Sequence, residues 1–125
     1  MEPEFSGHVL IIEDEPVIAL KLEILLGDLG FRSFDIADCP ADALACAQAN
    51  RPALITADYR IFAGTGVEAV EMITAAVGEV PVVYVTGNGD MLPPGTARTV
   101  VDKPISPTAL AAACVRARGR GELDG

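Results

Sequence analysis

Residues 8–12, 53–57 and 80–85 are apolar or β-compatible on both sides of any pleat, and each run is short for a buried helix. Strands of that kind are buried on both faces, which happens in parallel sheets covered by helices. Parallel neighbours need a crossover connection, and helical patterns fill the gaps between the runs. Pro16 suits the opening turn of a helix, and Ile18, Leu22, Leu25 and Leu29 then recur at three- to four-residue spacing until Gly30, giving one buried face. Residues 32–37 read as a short second strand. An Ala-rich helix runs from Cys39-Pro40 to Asn50, where Arg51-Pro52 breaks it. Val67, Val70, Ile73 and Val77 mark a third helix closed by Gly78. Residues 99–101 form a short fifth strand, and Ser106-Pro107 caps a last helix over 108–118 that frays from Gly119. This alternation predicts an α/β fold, one five-stranded parallel sheet between helical layers. Gly87 to Gly95, which includes Pro93-Pro94, has room for only a stunted fourth helix.

Composition narrows the function. A chain of 125 residues that is half hydrophobic is one domain with a core of its own. Trp is absent, aromatics are 5%, and the net charge is −9, so neither stacking nor a basic face is on offer to nucleic acid. No apolar run approaches a membrane span, and the acidic start Met1-Glu2-Pro3-Glu4 is unlike a signal peptide. A cytoplasmic location is expected. Cys39, Cys46 and Cys114 have no metal-ligand spacing and read as buried free thiols. His8, the only histidine, has no partner for a multi-histidine metal site and is given no role.

Four of the five strands hand over to their loops through a pointed residue: Glu13 and Asp14, then Asp58, Thr86 and Lys103. In a parallel sheet those ends share one edge, which is where ligands bind in open α/β folds. Two carboxylates ~4 Å apart repel by ~4 kcal/mol at an effective dielectric near 20. Either one takes up a proton or a cation sits among them, and a hard divalent ion such as Mg²⁺ suits an oxygen cluster. An ammonium and a hydroxyl opposite would hold anionic oxygens. Together these are the parts of a phosphoryl-transfer site.

Those residues, in that order, resemble the receiver domain of two-component response regulators over residues 8 to about 118, with 1–7 and 119–125 left as tails. The acidic pair Glu13-Asp14, Asp58 at the third strand end, Thr86-Gly87 at the fourth, Lys103-Pro104 at the fifth and Gly66 before the third helix carry the resemblance. It implies a doubly wound, flavodoxin-like, CheY-like sheet of order 2-1-3-4-5. It also implies a signalling domain rather than an enzyme. Asp58 would accept a phosphoryl group from a sensor histidine kinase or a histidine phosphotransfer protein, with at most self-phosphorylation from small donors and autodephosphorylation. Glu13, Asp14, Asp58 and the backbone carbonyl of Arg60 would hold Mg²⁺. Thr86, Gly87 and Lys103 would bind the phosphoryl oxygens, and the Lys103–Pro104 peptide bond would be cis. The result would be altered contacts with a downstream protein target, or a phosphorylation-dependent homodimer, with no nucleic acid and no membrane involved. Driving such a switch from mostly off to mostly on takes ~5.5 kcal/mol.

Three positions depart from the family. Val100 stands where an aromatic usually rotates inward, Phe62 replaces a common proline, and the span from Thr86 to Lys103 is short. Tyr84-Val85-Thr86-Gly87 is similar to an aromatic-Ala-Thr-Gly motif of an atypical receiver subgroup, although Gly89 stands where that subgroup has a tyrosine. Two rival functions follow. One is a degenerate receiver that binds partners without phosphate. The other is a Mg²⁺-dependent aspartyl-phosphate phosphohydrolase, which lacks a carboxylate two residues after Asp58, where Arg60 stands. Whether the chain acts alone or is a piece of a longer protein is left open.

Overall fold

The run at 8–12 becomes strand β1 (His8–Ile12), and its lack of a polar side follows from what covers it. Around it the chain adds α1 (Pro16–Leu29), β2 (Ser33–Ala37), α2 (Pro40–Ala49), β3 (Leu54–Ala57), a small hairpin of β4 (Arg60–Ile61) and β5 (Gly64–Thr65), α3 (Gly66–Val77), β6 (Val82–Thr86), β7 (Thr99–Asp102) and α4 (Pro107–Asp124). The computed structural model describes residues 5–92 and 99–124. Five strands form one parallel sheet in the order β2-β1-β3-β6-β7, the expected doubly wound topology once the two short hairpin strands are set aside.

Alternate side chains of each strand go to opposite layers. Val9 and Ile11 of β1, Leu54 of β3, Val83 and Val85 of β6 and Val101 of β7 face α1 and α4, whose Leu22, Leu26, Leu110 and Ala113 complete that core. Leu10, Ile12, Ile55, Ala57 and Tyr84 face α2 and α3, where Ala43, Ala47, Ala69 and Ile73 allow close approach. In α1 the stripe is shifted from the expected one. Ala19, Leu22 and Leu26 are fully buried, whereas Ile18, Leu25 and Leu29 lie at the margin of the core. Val17, Leu20 and Ile24 are left exposed. The helix ends at Gly30, whose left-handed φ of 118° suits a residue without a Cβ.

Several boundaries differ from the sequence reading for identifiable reasons. The fourth large strand starts at Val82, because Pro81 has no N–H to give the ladder, although its carbonyl accepts from Ile55 N–H at 2.9 Å. The loop after Asp58 holds the β4–β5 hairpin, which turns at Phe62 and Ala63. Thr65 caps α3 by accepting from Glu68 N–H at 3.1 Å. Ser106 caps α4 in the same way, from Ala109 N–H at 3.3 Å. That helix continues to Asp124 across Gly119 and Gly121. Only Cys114 of the three thiols is buried; Cys39 precedes α2 and Cys46 lies beside its buried Ala47, so both are half-exposed. Between β6 and β7 the described residues contain one 3-10 turn, Gly89–Met91, while Pro93 and Pro94 lie outside the described residues.

Phe5, assigned by sequence to a tail, is buried. Its ring stacks on Phe31 with centroids 5.1 Å apart, and the Arg118 guanidinium lies 4.5 Å from its centroid. His8 also has partners, with its ring nitrogens 2.8 Å from Ser33 Oγ and 3.0 Å from Asp35 Oδ2 on the edge strand β2.

Candidate phosphoryl-transfer site

The carboxyl ends of β1, β3 and β7 bring Glu13, Asp58 and Lys103 into contact. Both acidic residues extend their strands by one ladder bond. Glu13 N–H donates to Ala37 carbonyl at 2.9 Å, and Asp58 N–H donates to Ile12 carbonyl at 3.0 Å. Their side chains are thereby fixed at the sheet edge, and both residues are buried. The Lys103 ammonium donates to Glu13 Oε1 and to Asp58 Oδ2, each at 2.8 Å. The other oxygen of each carboxylate is held by the amide of the next residue: Asp14 N–H reaches Glu13 Oε2 at 3.0 Å, and Tyr59 N–H reaches Asp58 Oδ1 at 2.7 Å. Charge-assisted bonds of this kind are the strong ones. Backbone amides leave no residue-type signature, so these two bonds are not legible in the sequence.

Burial pushes the Glu13 carboxyl up to about 7, against the pull of its hydrogen bond to Lys103, and the nearby Asp58 charge adds to the rise. Burial works to lower Lys103, but its hydrogen bonds to Asp58 and Glu13 outweigh that, and the ammonium is held above its ordinary value. One lysine thus serves two carboxylates, the charge imbalance that an additional cation would relieve.

Asp14 is exposed, and oxygens of Glu13, Asp14 and Asp58 all lie within 4.8 Å of one another. Three hard oxygen donors at that spacing fit a divalent ion such as Mg²⁺. Arg60 sits in the hairpin strand β4, paired with Thr65, just beyond Asp58. Gly66 closes the hairpin against the site. Its N–H donates to Tyr59 carbonyl at 2.8 Å, and a Cβ there would collide with the Asp58 carbonyl oxygen. Glycine is required at this position because the backbone passes too close for any side chain.

Thr86 ends β6 and is fully buried; its Oγ accepts from Asn88 N–H at 3.0 Å. Gly87 is exposed, and a Cβ there would meet nothing within 4 Å, so sterics do not explain its glycine. The Lys103–Pro104 peptide bond is cis. Val100 lies beside Tyr84 in the register of β6 and β7 and packs at the margin of the α2–α3 core.

A doubly wound sheet with three acidic groups and a lysine on its carboxyl edge defines a receiver domain. The chain belongs to the response regulator receiver domain family of two-component signalling, whose model matches residues 9–114. Over 85 residues it is 38% identical to the phyllosphere-induced regulator PhyR of Methylorubrum extorquens, covering 66% of this chain and 32% of that protein. A mutant of the anti-anti-sigma factor PhyR from Bartonella quintana superposes with a TM-score of 0.78 at 27% identity, over 97% of this chain and 51% of that one. The receiver domain of the sensor histidine kinase PA1611 from Pseudomonas aeruginosa also has a TM-score of 0.78 at 27% identity, over 92% and 99%. That structure has a magnesium ion coordinated in its active-site cleft. The chain spans about a third of the first of these relatives and half of the second. Receivers are signalling domains. Among the described residues no helix is long and apolar enough to cross a membrane.

Proposed function

We propose that this chain is a phospho-accepting receiver, with Asp58 taking a phosphoryl group from the phosphohistidine of a kinase or phosphotransfer protein. The observation that carries the reading is the bridge from Lys103 to Glu13 and Asp58, at 2.8 Å on both sides. An ammonium already placed on the acceptor carboxylate is placed to follow the negative charge onto a phosphoryl group. One Asp58 oxygen forms the new O–P bond while the partner's P–N bond breaks and its electron pair returns to the imidazole. Lys103 then grips a phosphoryl oxygen. Thr86 is fully buried, and its hydroxyl proton has no acceptor among the described residues, so it supplies a donor for another phosphoryl oxygen. Gly87 lies at the same edge.

Glu13, Asp14, Asp58 and the Arg60 carbonyl would hold Mg²⁺, with Glu13 acting through water. When bound, the ion supplies positive charge that offsets the acidic cluster and the incoming phosphoryl oxygens. Beside the cluster runs a groove of about 330 Å³ whose wall includes Leu20 and Ile36. Leu20 is exposed together with Val17 and Ile24, which stand three and four residues from it on the same face of α1. An apolar strip next to an acidic cleft supports docking of a partner helix that presents phosphohistidine. The domain would act in the cytoplasm on a downstream protein, and the anti-anti-sigma role of the Bartonella relative makes an anti-sigma factor one such target.

The test is intact mass after incubation with acetyl phosphate and Mg²⁺. A single phosphoryl adduct is expected that requires Mg²⁺ and is absent in Asp58→Asn. No adduct from a folded sample would overturn this reading in favour of a phosphate-independent binding domain, the alternative to which Val100 points. Turnover of small phosphate esters would instead favour a hydrolase, against which Arg60 stands two residues after Asp58.

A further inference from the structure

The amino end of the sheet holds a cavity of about 230 Å³ that the phosphoryl chemistry does not use. Phe5, Phe31, Leu54 and Pro81 form its apolar walls, and Cys114 of α4 lines it as well. Exposed Ser6 and half-buried Arg118 put its mouth at the surface. The main chain beside it is committed to neighbouring strands. Ala53 N–H donates to His8 carbonyl at 2.7 Å, and Pro81 carbonyl accepts from Ile55 N–H at 2.9 Å. Burial pushes the Cys114 thiol up to about 12, so at neutral pH it adds no negative charge. Arg118 is the one charged side chain on the lining, and its guanidinium lies 4.5 Å from the Phe5 centroid. A guanidinium that offers its face to a ring still has five N–H donors around its edge, in a fork that matches a carboxylate. Size sets the other half of the ligand. A dry apolar cavity of roughly 150 Å³ takes one benzene, and drug-sized ligands need roughly 300 Å³ or more. The space here suits one ring, or a branched chain of similar bulk, with one small polar group attached.

We propose that this cavity is a second ligand site, for a small aromatic or branched aliphatic carboxylate. The apolar body fills the space against Phe31, Leu54 and Pro81, and Arg118 holds the carboxylate at the mouth. The site lies at the sheet edge remote from Asp58 and does not depend on the phospho-acceptor reading. A bound ligand touches the segment before β1, the start of β3, the residue before β6 and the later turns of α4 at once, and so fastens α4 to the sheet.

The test is a residue-resolved NMR titration of the whole chain with phenylacetate, and with phenylacetamide as its uncharged counterpart. Phenylacetate is expected to shift the amide signals of Phe5, Phe31, Leu54 and Cys114 and to leave those of Asp14, Asp58 and Lys103 in place. It binds at least about ten-fold more tightly than the amide, the low end of what a hydrogen bond to a charged group is worth. Arg118→Met removes that preference. Equal binding of acid and amide, an undiminished preference in Arg118→Met, or shifts confined to the acidic edge overturns the proposal. So does the absence of any shift up to the solubility limit of phenylacetate. Signals of the lining residues that move on dilution of the protein alone also overturn it, and assign the cavity to a second copy of this chain. The thermal melt of Arg118→Met is compared first; if the variant unfolds, the ratio of acid to amide binding in the wild type decides.

Discussion

The two ends of the one sheet are built from opposite materials. At the amino end, the Phe5–Phe31 stack and the Arg118 guanidinium over it close the strands with apolar surface and a half-buried cation. At the carboxyl end, two buried carboxylates and one lysine close the same strands with charge. Burying aromatic surface is favourable without further conditions. Burying charge is favourable only while every partner stays in place. The amino end can therefore hold the fold together while the carboxyl end is held ready to change its charge, as the proposed gain and loss of a phosphoryl group would require.

That contrast can be broken most sharply at Lys103. Lys103→Met leaves Glu13 and Asp58 facing each other unpaired, and phosphorylation by acetyl phosphate is expected to slow at least about a hundred-fold, equal to about 2.7 kcal/mol of lost transition-state interaction. Stability at pH 7 falls by about 2–3 kcal/mol, less than for a fully buried pair because the lysine side chain is 19% exposed. The deficit shrinks at pH 5, where Glu13 is protonated in both proteins and has no charge for the lysine to balance; urea unfolding at both pH values checks it. Next is Phe5→Ala, expected to cost about 3 kcal/mol by urea unfolding while leaving the phosphorylation rate unchanged. A slowed rate would mean that the two ends are not independent.

A third, smaller effect comes from Glu13 alone. The folded state keeps its proton up to about pH 7, the unfolded chain only to about 4.5. The folded state thus binds more protons between these values, and stability falls as pH rises through that window. The ceiling is about 3 kcal/mol. The Glu13→Gln variant should lack this slope in a series of denaturant midpoints. Smallest is Cys114 beside the amino-end cluster, whose thiol burial pushes up to about 12, against the opposing charge of Arg118. Brief iodoacetamide at pH 8 should leave Cys114 intact and modify it only after unfolding, as read by peptide mass.

What the sequence disclosed follows the same division. Side-chain type at strand ends is visible in a string of letters, so Glu13, Asp14, Asp58, Thr86 and Lys103 could be assigned to one edge from the sequence alone. The strand order came from family resemblance, since periodicity alone does not order parallel strands. Phe5 was missed because a lone aromatic before the first strand carries no period, and its burial depends on Phe31 and Arg118, far away in sequence. The shifted stripe of α1 was missed because nearly every position there is aliphatic, so spacing cannot say which side faces the sheet. The pinning amides of Asp14, Tyr59 and Asn88 were invisible for a simpler reason: every residue but proline has one.

The Phe5 clasp has a topological consequence. It sets the first described segment against the second half of α4 at the edge remote from Asp58, so the two ends of the fold are neighbours. Chains with adjacent ends tolerate circular permutation. Joining these ends through a short linker and opening the chain at an exposed turn would keep every strand beside its partners, and the chemistry at the opposite edge would not register where the chain begins.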